Sequence, residues 1–185
     1  MKNKIFNAII ELNCLKFGDF TLKSGAKSDY YINLRNLVRR PDIIKLIAQL
    51  IYTKLDNIEE PYLICGLPYA GLPYANCLST VFNIPLIVLR KEQKKYGMKN
   101  MIDGLEDNTI KNVIIIDDII TSGSSINESL KYFKENELNI IKKIVIIDRR
   151  ETITEENNDV ISLFHIDELV EFKRKILMDG NLKSK

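Results

Sequence analysis

Val113-Ile114-Ile115-Ile116-Asp117-Asp118-Ile119-Ile120-Thr121-Ser122-Gly123-Ser124-Ser125 is the stretch on which the reading of this chain turns. Val113 to Ile116 are apolar and β-branched, with no polar alternation, and suit a central parallel strand covered on both faces. Two carboxylates follow, then a loop of small and hydroxylated residues, then a helical pattern from Ile126 to Phe133. Open α/β sheets build their ligand sites in this way, at the carboxyl end of a strand. Gly123 permits a tight turn and a close approach of backbone to ligand. The N–H groups of the loop and of the next helix's first turn favour an anion, and the hydroxyls of Thr121, Ser122, Ser124 and Ser125 add donors. Asp117 and Asp118 repel that same anion. They suit ribose hydroxyls, or water around Mg²⁺. The stretch therefore reads as a site for a ribose 5-phosphate. It has neither the Gly-Lys-Ser/Thr ending of a Walker A loop nor a Gly-x-Gly-x-x-Gly turn.

Outward from this stretch, strands and helices alternate. Helices are predicted at Ile5 to Leu15 (ended by Gly18), Pro41 to about Leu55, Leu72 to Phe82, Ser125 to Asn136, and Asp167 to Met178 with Asp167 as N-cap. Strands are predicted at Phe20 to Leu22, Tyr30 to Leu34, Leu63 to Cys65, Leu86 to Leu89, Val113 to Ile116, Ile144 to Ile147 and Val160 to Phe164. The fold class is α/β: a mainly parallel open sheet flanked by helices, in a single domain spanning residues 1–185. Glu92 to Asp103 shows no clear element, which marks a lid, a binding loop or a solvated basic loop.

The net charge of +2 demands neither nucleic acid nor an acidic membrane. Cys14, Cys65 and Cys77 are odd in number and lack C-x-x-C spacing. With His165 the single histidine, they argue against zinc and for reduced thiols in the cytoplasm. No leader-peptide pattern and no membrane-length apolar run is present.

Four further constellations stand beside the acidic stretch. Lys23-Ser24-Gly25 precedes the aromatic pair Tyr30-Tyr31. Cys65-Gly66-Leu67-Pro68-Tyr69-Ala70-Gly71 follows a buried strand. Arg90-Lys91-Glu92-Gln93-Lys94-Lys95-Tyr96-Gly97 crowds cations beside the long loop, and Asp148-Arg149-Arg150-Glu151 ends another apolar strand. Together with the acidic stretch these resemble, in order, the motifs of the type I phosphoribosyltransferases. Within them they are most similar to the orotate phosphoribosyltransferases.

That resemblance implies a type I phosphoribosyltransferase fold, with residues 1–40 giving a small N-terminal hood. It implies transfer of the 5-phosphoribosyl group from phosphoribosyl pyrophosphate (PRPP) to orotate, giving orotidine 5′-monophosphate and pyrophosphate in pyrimidine synthesis. Carried over residue by residue, PRPP contacts fall on Lys23, Tyr69, Ala70, Arg90, Lys91, Lys94 and Tyr96, and on Asp117, Asp118, Ile119, Ile120, Thr121, Ser122, Gly123, Ser124 and Ser125. Orotate contacts fall on Lys23, Tyr30, Tyr31, Thr121 and Arg149, and the catalytic roles on Lys94, Asp117 and Asp118. Mg²⁺ is the implied cofactor, bound mainly through PRPP, with no direct protein ligand and with Asp117 or Asp118 reached through water. The implied assembly is a homodimer in which Glu92 to Asp103 reaches the neighbouring site. Neither nucleic acid nor membrane is an expected partner. In eukaryotes a similar domain is often fused to orotidine monophosphate decarboxylase; this chain ends at Lys185 without room for that barrel, and docking of a separate decarboxylase is left open.

Two departures stand out. Ala70 replaces the lysine of many bacterial members, so only backbone contacts carry over there. Thr152-Ile153-Thr154 replaces the usual Gly-rich turn after Glu151, which leaves that loop's shape open. A purine phosphoribosyltransferase and a non-catalytic PRPP-binding regulator are the alternatives. Lys23 and the aromatic pair speak against the first, and the retained acids and loop lysines against the second. His165 lies outside every motif and reads as structural.

Overall fold

In the computed structural model, which describes residues 1–21, 25–59, 61–92, 100–106, 109–154 and 157–182, the acidic stretch is the centre of a six-stranded sheet. In chain order the elements are α1 (Lys2–Glu11), β1 (Leu15–Thr21), β2 (Lys27–Ile32), a 3-10 helix (Leu34–Arg39), α2 (Pro41–Tyr52), β3 (Leu63–Gly66), α3 (Leu72–Phe82) and β4 (Leu86–Leu89). They continue with β5 (Ile102–Asp103), β6 (Asn112–Ile120), α4 (Ser124–Glu135), β7 (Asn139–Asp148), β8 (Val160–His165) and α5 (Ile166–Leu182). The sheet order is β5-β4-β3-β6-β7-β8, parallel except for β5. β6 is therefore flanked on both sides and covered on both faces, as its unbroken apolar run requires.

Alternation along β6 divides the core. Ile114 and Ile116 join Ile64, Ile144 and Ile146 in a cluster with α1, α2, α3 and α5. Val113 and Ile115 join Leu63, Cys65 and Val145 in a second cluster with Ile126 and Phe133 of α4. Each fully buried isoleucine contributes about 1.5–3 kcal/mol relative to exposure, and the four apolar residues Val113 to Ile116 all show 0% exposure. The strand that leads into the acidic pair is thus fixed by packing before any ligand arrives.

Several boundaries differ from the sequence expectation for physical reasons. α1 ends at Glu11, because Asn13 takes a left-handed φ of 52° and Leu15 already starts β1. Gly18 lies inside β1 and ends no helix. β2 starts earlier than predicted, at Lys27. The end of the long loop is strand: Ile102 and Asp103 pair with Leu89 and Val88 as β5. At the start of α5, His165 rather than Asp167 makes the capping contacts. The Asp167 N–H donates to His165 Nδ1 (3.3 Å), and the His165 N–H donates to Glu168 Oε1 (2.9 Å). This is a capping box built on histidine, and it gives His165 the structural role expected of it. Among the described residues no helix is long and apolar enough to cross a membrane.

β1 and β2 form a separate antiparallel hairpin at the carboxyl end of the main sheet's central strands. α5 holds it. Lys173 Nζ donates to the Leu15 carbonyl and lies 5.0 Å from the Phe17 ring, and Arg174 pairs with Asp29 at 3.3 Å.

Candidate active site

β6 does not end where the carboxylates begin. Its ladder to β7 continues to Ile120, opposite Asp148. The acidic pair is therefore in strand conformation, and successive side chains point to opposite faces. Asp117 lines a cleft of about 740 Å³ whose other walls come from Ile119 to Ile126, Ala26, Glu128, Arg149, Glu151 and Thr152. Asp118 is not among those walls, and its charge acts more strongly than that of Asp117 on the buried phenol of Tyr74 in α3. Burial, then the Asp118 charge, push the Asp117 carboxyl up to about 7, against the lowering effect of Arg35. Burial also raises Asp118, opposed by the Ile119 N–H that it accepts at 2.8 Å and by Arg35. The Asp118 N–H in turn donates to Asp117 Oδ1 at 2.9 Å. Two adjacent half-dry carboxylates are costly side by side, so the pair favours positive charge beside it.

The loop beyond β6 faces the same cleft. Gly123 has φ 83°, a conformation that a side chain disfavours, and α4 starts at once with Ser124. Thr121, Ser122, Ser124 and Ser125 are all exposed to the cleft, and Ser122 Oγ lies 2.5 Å from Ser124 Oγ. The N-cap residue, Gly123, offers no side chain to the N-terminus of α4, and the Ser122 hydroxyl takes only the Ser124 N–H, at 3.4 Å. The first-turn N–H groups of a helix lack intrahelical partners, so they are available to an anion. The whole of Asp117 and Ile119 to Ser125 from the sequence expectation thus meets in one cleft.

The turn after β3 packs directly on β6. The Leu67 N–H donates to the Ile116 carbonyl at 2.8 Å, and the Gly71 N–H to the Leu67 carbonyl at 3.0 Å. A Cβ on Gly71 would lie 2.1 Å from the Ile116 oxygen, and one on Gly66 2.7 Å from the Gly71 carbonyl carbon. Only glycine fits either place. The Pro68–Tyr69 peptide is cis. Tyr69 is exposed, and Lys91 Nζ stands 5.5 Å from its ring centroid. Ala70 completes the turn. Arg90 pairs with Asp103 of β5 at 2.5 Å, while its Nε is buried without a hydrogen-bond partner among the described residues.

Arg149, just past β7, also faces the cleft. Its guanidinium lies 4.6 Å from the Tyr30 ring centroid, its Nη2 donates to Ser28 Oγ at 2.9 Å, and its Nε donates to the Tyr30 hydroxyl at 3.3 Å. Tyr31 alternates away. Its ring packs on Phe20 with centroids 5.6 Å apart, and it is exposed. Tyr30 is the member of the pair that the strand brings to Arg149.

Arg150 is the residue that sequence reasoning missed. It is buried, with Nη2 on Asp148 Oδ2 at 2.6 Å and Nε on Asp148 Oδ1 at 2.9 Å, and it donates to the Asn157 carbonyl. Burial raises the Asp148 carboxyl, but the Arg150 hydrogen bonds and charge more than offset this and hold it below its ordinary range. The Asn157 side chain also accepts from the Thr154 N–H at 3.0 Å. This network sets both ends of the segment after Glu151, whose shape the sequence left open.

Lys23, Lys94 and Tyr96 lie outside the described residues. Among the described residues no group of three carboxylate, histidine or cysteine side chains could cage a metal.

The Phosphoribosyl transferase domain family matches residues 33–176. An orotate phosphoribosyltransferase of Methanocaldococcus jannaschii is 35% identical over 135 residues, which cover 73% of this chain and 75% of that protein. A uridine 5′-monophosphate synthase of Naegleria gruberi is 38% identical over 142 residues, 74% of this chain but 28% of the synthase. The chain thus spans little more than a quarter of that longer relative. The structure of Leishmania donovani UMP synthase superposes with a TM-score of 0.78 at 32% identity, covering 93% of this chain and 38% of that one. The order of the strands, the cleft over β6 and these likenesses agree: the chain belongs to the phosphoribosyltransferase family and, within it, to the orotate phosphoribosyltransferases.

Proposed function

We propose that the cleft over β6 binds PRPP with its 5-phosphate in the 121–125 loop and its ribose on Asp117, and holds orotate between Arg149 and the hairpin. The observation that carries this reading is the convergence in one cleft of a carboxylate, a helix N-terminus with glycine at its N-cap and an arginine from the next strand. Arg149 can present a fork of donors to a planar acceptor such as the orotate carboxylate or a ring carbonyl. Orotate N1, its proton lost to solvent water, then bonds to ribose C1 as the bond from C1 to the pyrophosphate oxygen breaks. Positive charge develops on the sugar beside Asp117, whose burial next to Asp118 is relieved by a cation. Asp118 acts from the other face of the strand, by fixing the Ile119 N–H and raising the cost that the cation relieves.

The donor set suits Mg²⁺. Cleft carboxylates that form no cage among the described residues match an ion that keeps several waters and binds chiefly through phosphate oxygens. When bound, Mg²⁺ neutralises the charge that gathers on the leaving pyrophosphate. Asp117 would reach its water shell. Lys94 and Lys91 would add cations on the same side, from a loop whose two ends are joined by the β4–β5 ladder and by the Arg90 N–H on the Met101 carbonyl at 2.8 Å. In this reading the loop serves the neighbouring protomer's site in a homodimer, and the free cysteines fit a cytoplasmic setting. The product keeps a carboxyl group on its base, so the reaction that consumes it toward uridylate is a decarboxylation.

The test is a panel of bases offered with PRPP to purified protein. Orotate is consumed, while adenine, hypoxanthine and uracil are turned over at least about 100-fold more slowly, as expected where a site's buried polar groups would be left unpaired. Excess chelator stops the reaction, and added Mg²⁺ restores it. Consumption of a purine instead would overturn the base assignment. PRPP binding without turnover of any base would favour the regulator.

A further inference from the structure

We infer that Ser28 is a positioning residue for Arg149, and so sets recognition of the orotate base without touching it. This rests on the reading of Arg149 as the orotate-binding arginine. Ser28 is half-buried on β2. Its hydroxyl carries one proton, which it donates to the Tyr30 carbonyl at 2.7 Å. Toward Arg149 Nη2, 2.9 Å away, the oxygen can then act only as an acceptor. The Tyr30 N–H also donates to Ser28 Oγ, at 3.3 Å, so the side chain is locked to its own strand from two directions. Arg149 is in turn held over the Tyr30 ring, its guanidinium carbon 4.6 Å from the centroid, and its backbone N–H is fixed to the Ile120 carbonyl at 2.9 Å.

The consequence is geometric. Nε and one Nη2 hydrogen are directed at the hairpin, which leaves Nη1 without a hydrogen-bond partner among the described residues, on a side chain that lines the cleft. A planar acceptor then meets a fork whose plane is already set, and the entropy of aligning it is spent during folding rather than binding. The same bonds couple the hairpin to the end of β7 beside the loop that begins at Thr121. Base recognition therefore depends on the hairpin being seated.

The experiment is steady-state kinetics on Ser28→Ala, Ser28→Thr, Arg149→Ala and the double variant Ser28→Ala/Arg149→Ala, with melting curves for each. Ser28→Ala is expected to raise the KM for orotate about tenfold, the loss of one charge-assisted hydrogen bond. The KM for PRPP and kcat should change less than about twofold, which a general distortion of the site would not spare. Ser28→Thr keeps the hydroxyl on a residue that strands accept and should restore most of the affinity. In the Arg149→Ala background the Ser28 change should add nothing.

An unchanged orotate KM in Ser28→Ala would overturn the proposal, as would an equal loss for PRPP or a Ser28 effect that persists without Arg149. If instead Arg149→Ala itself leaves the orotate KM unchanged, it is the reading of Arg149 that fails.

Discussion

Asp117→Asn is expected to make the ligand-free protein more stable at pH 8 and to cost about 100-fold or more in turnover. The two effects have one cause. The folded protein raises the Asp117 carboxyl from its ordinary value to about 7, first by burial and then through the charge of Asp118. Between about pH 4 and that value the folded state therefore holds more protons than the unfolded state, and stability falls as pH rises through the window. Asparagine has the same shape and no charge to bury. Its gain over wild type should be largest at pH 8, a few kcal/mol at most, and should shrink as the pH is lowered toward about 4. Thermal melts at pH 8 and pH 5 read the difference, and orotate consumption reads the loss of the charge that faces the developing cation. An Asn variant that melts below wild type at pH 8 would mean that Asp117 is held by an attraction rather than tolerated at a cost.

Among the described glycines, Gly71→Ala is expected to be the most damaging addition of a methyl group. The added carbon would stand 2.1 Å from the Ile116 oxygen and 2.7 Å from the Leu67 nitrogen, both backbone atoms tied to each other by a hydrogen bond. No side chain can swing away to make room. Either the turn after β3 lifts off β6 or the hydrogen bond breaks, at a cost of about 3 kcal/mol or more. That corresponds to roughly 6–12 °C in the melting midpoint of a domain this size. Because Tyr69 and Ala70 ride on this turn, the KM for PRPP should rise as well, whereas Arg149 and the orotate side are attached to a different strand. A variant with wild-type melting and wild-type PRPP KM would show that the turn is not clamped as described.

Much of this was legible in the residues, where the chain's own punctuation is strong. Leu72–Phe82 and Leu86–Leu89 fall where expected, because Gly71 and Pro73 open α3, a left-handed Asn83 closes it and Pro85 precedes β4. The apolar Val113 to Ile116 run located the central strand. Its true end was obscured, because carboxylates look like the end of a strand while the backbone ladder to β7 continues beneath them. Polarity reports where side chains meet water, not where hydrogen bonds stop.

Adjacent residues also part company in space. Tyr30 meets Arg149 while Tyr31 meets Phe20, and Arg149 meets the cleft while Arg150 meets Asp148. Asp148 and Arg150 are two residues apart, and both the N–H and the guanidinium of Arg150 donate to the Asp148 carboxylate. That spacing was the available signal for their buried pair. The hairpin's contacts with α5, through Lys173 and Arg174, join residues far apart in sequence, and no local pattern announces them.

The most direct measurement is a crystal structure with orotidine 5′-monophosphate bound, since one molecule carries the phosphate, the ribose and the base at fixed separation. The phosphate is expected within hydrogen-bond distance of the loop from Thr121 to Ser125, with a ribose hydroxyl on Asp117. The base is expected against Arg149, with Lys94 arriving from a second protomer. A phosphate seated elsewhere, or a base turned away from Arg149 toward solvent, would contradict this binding mode.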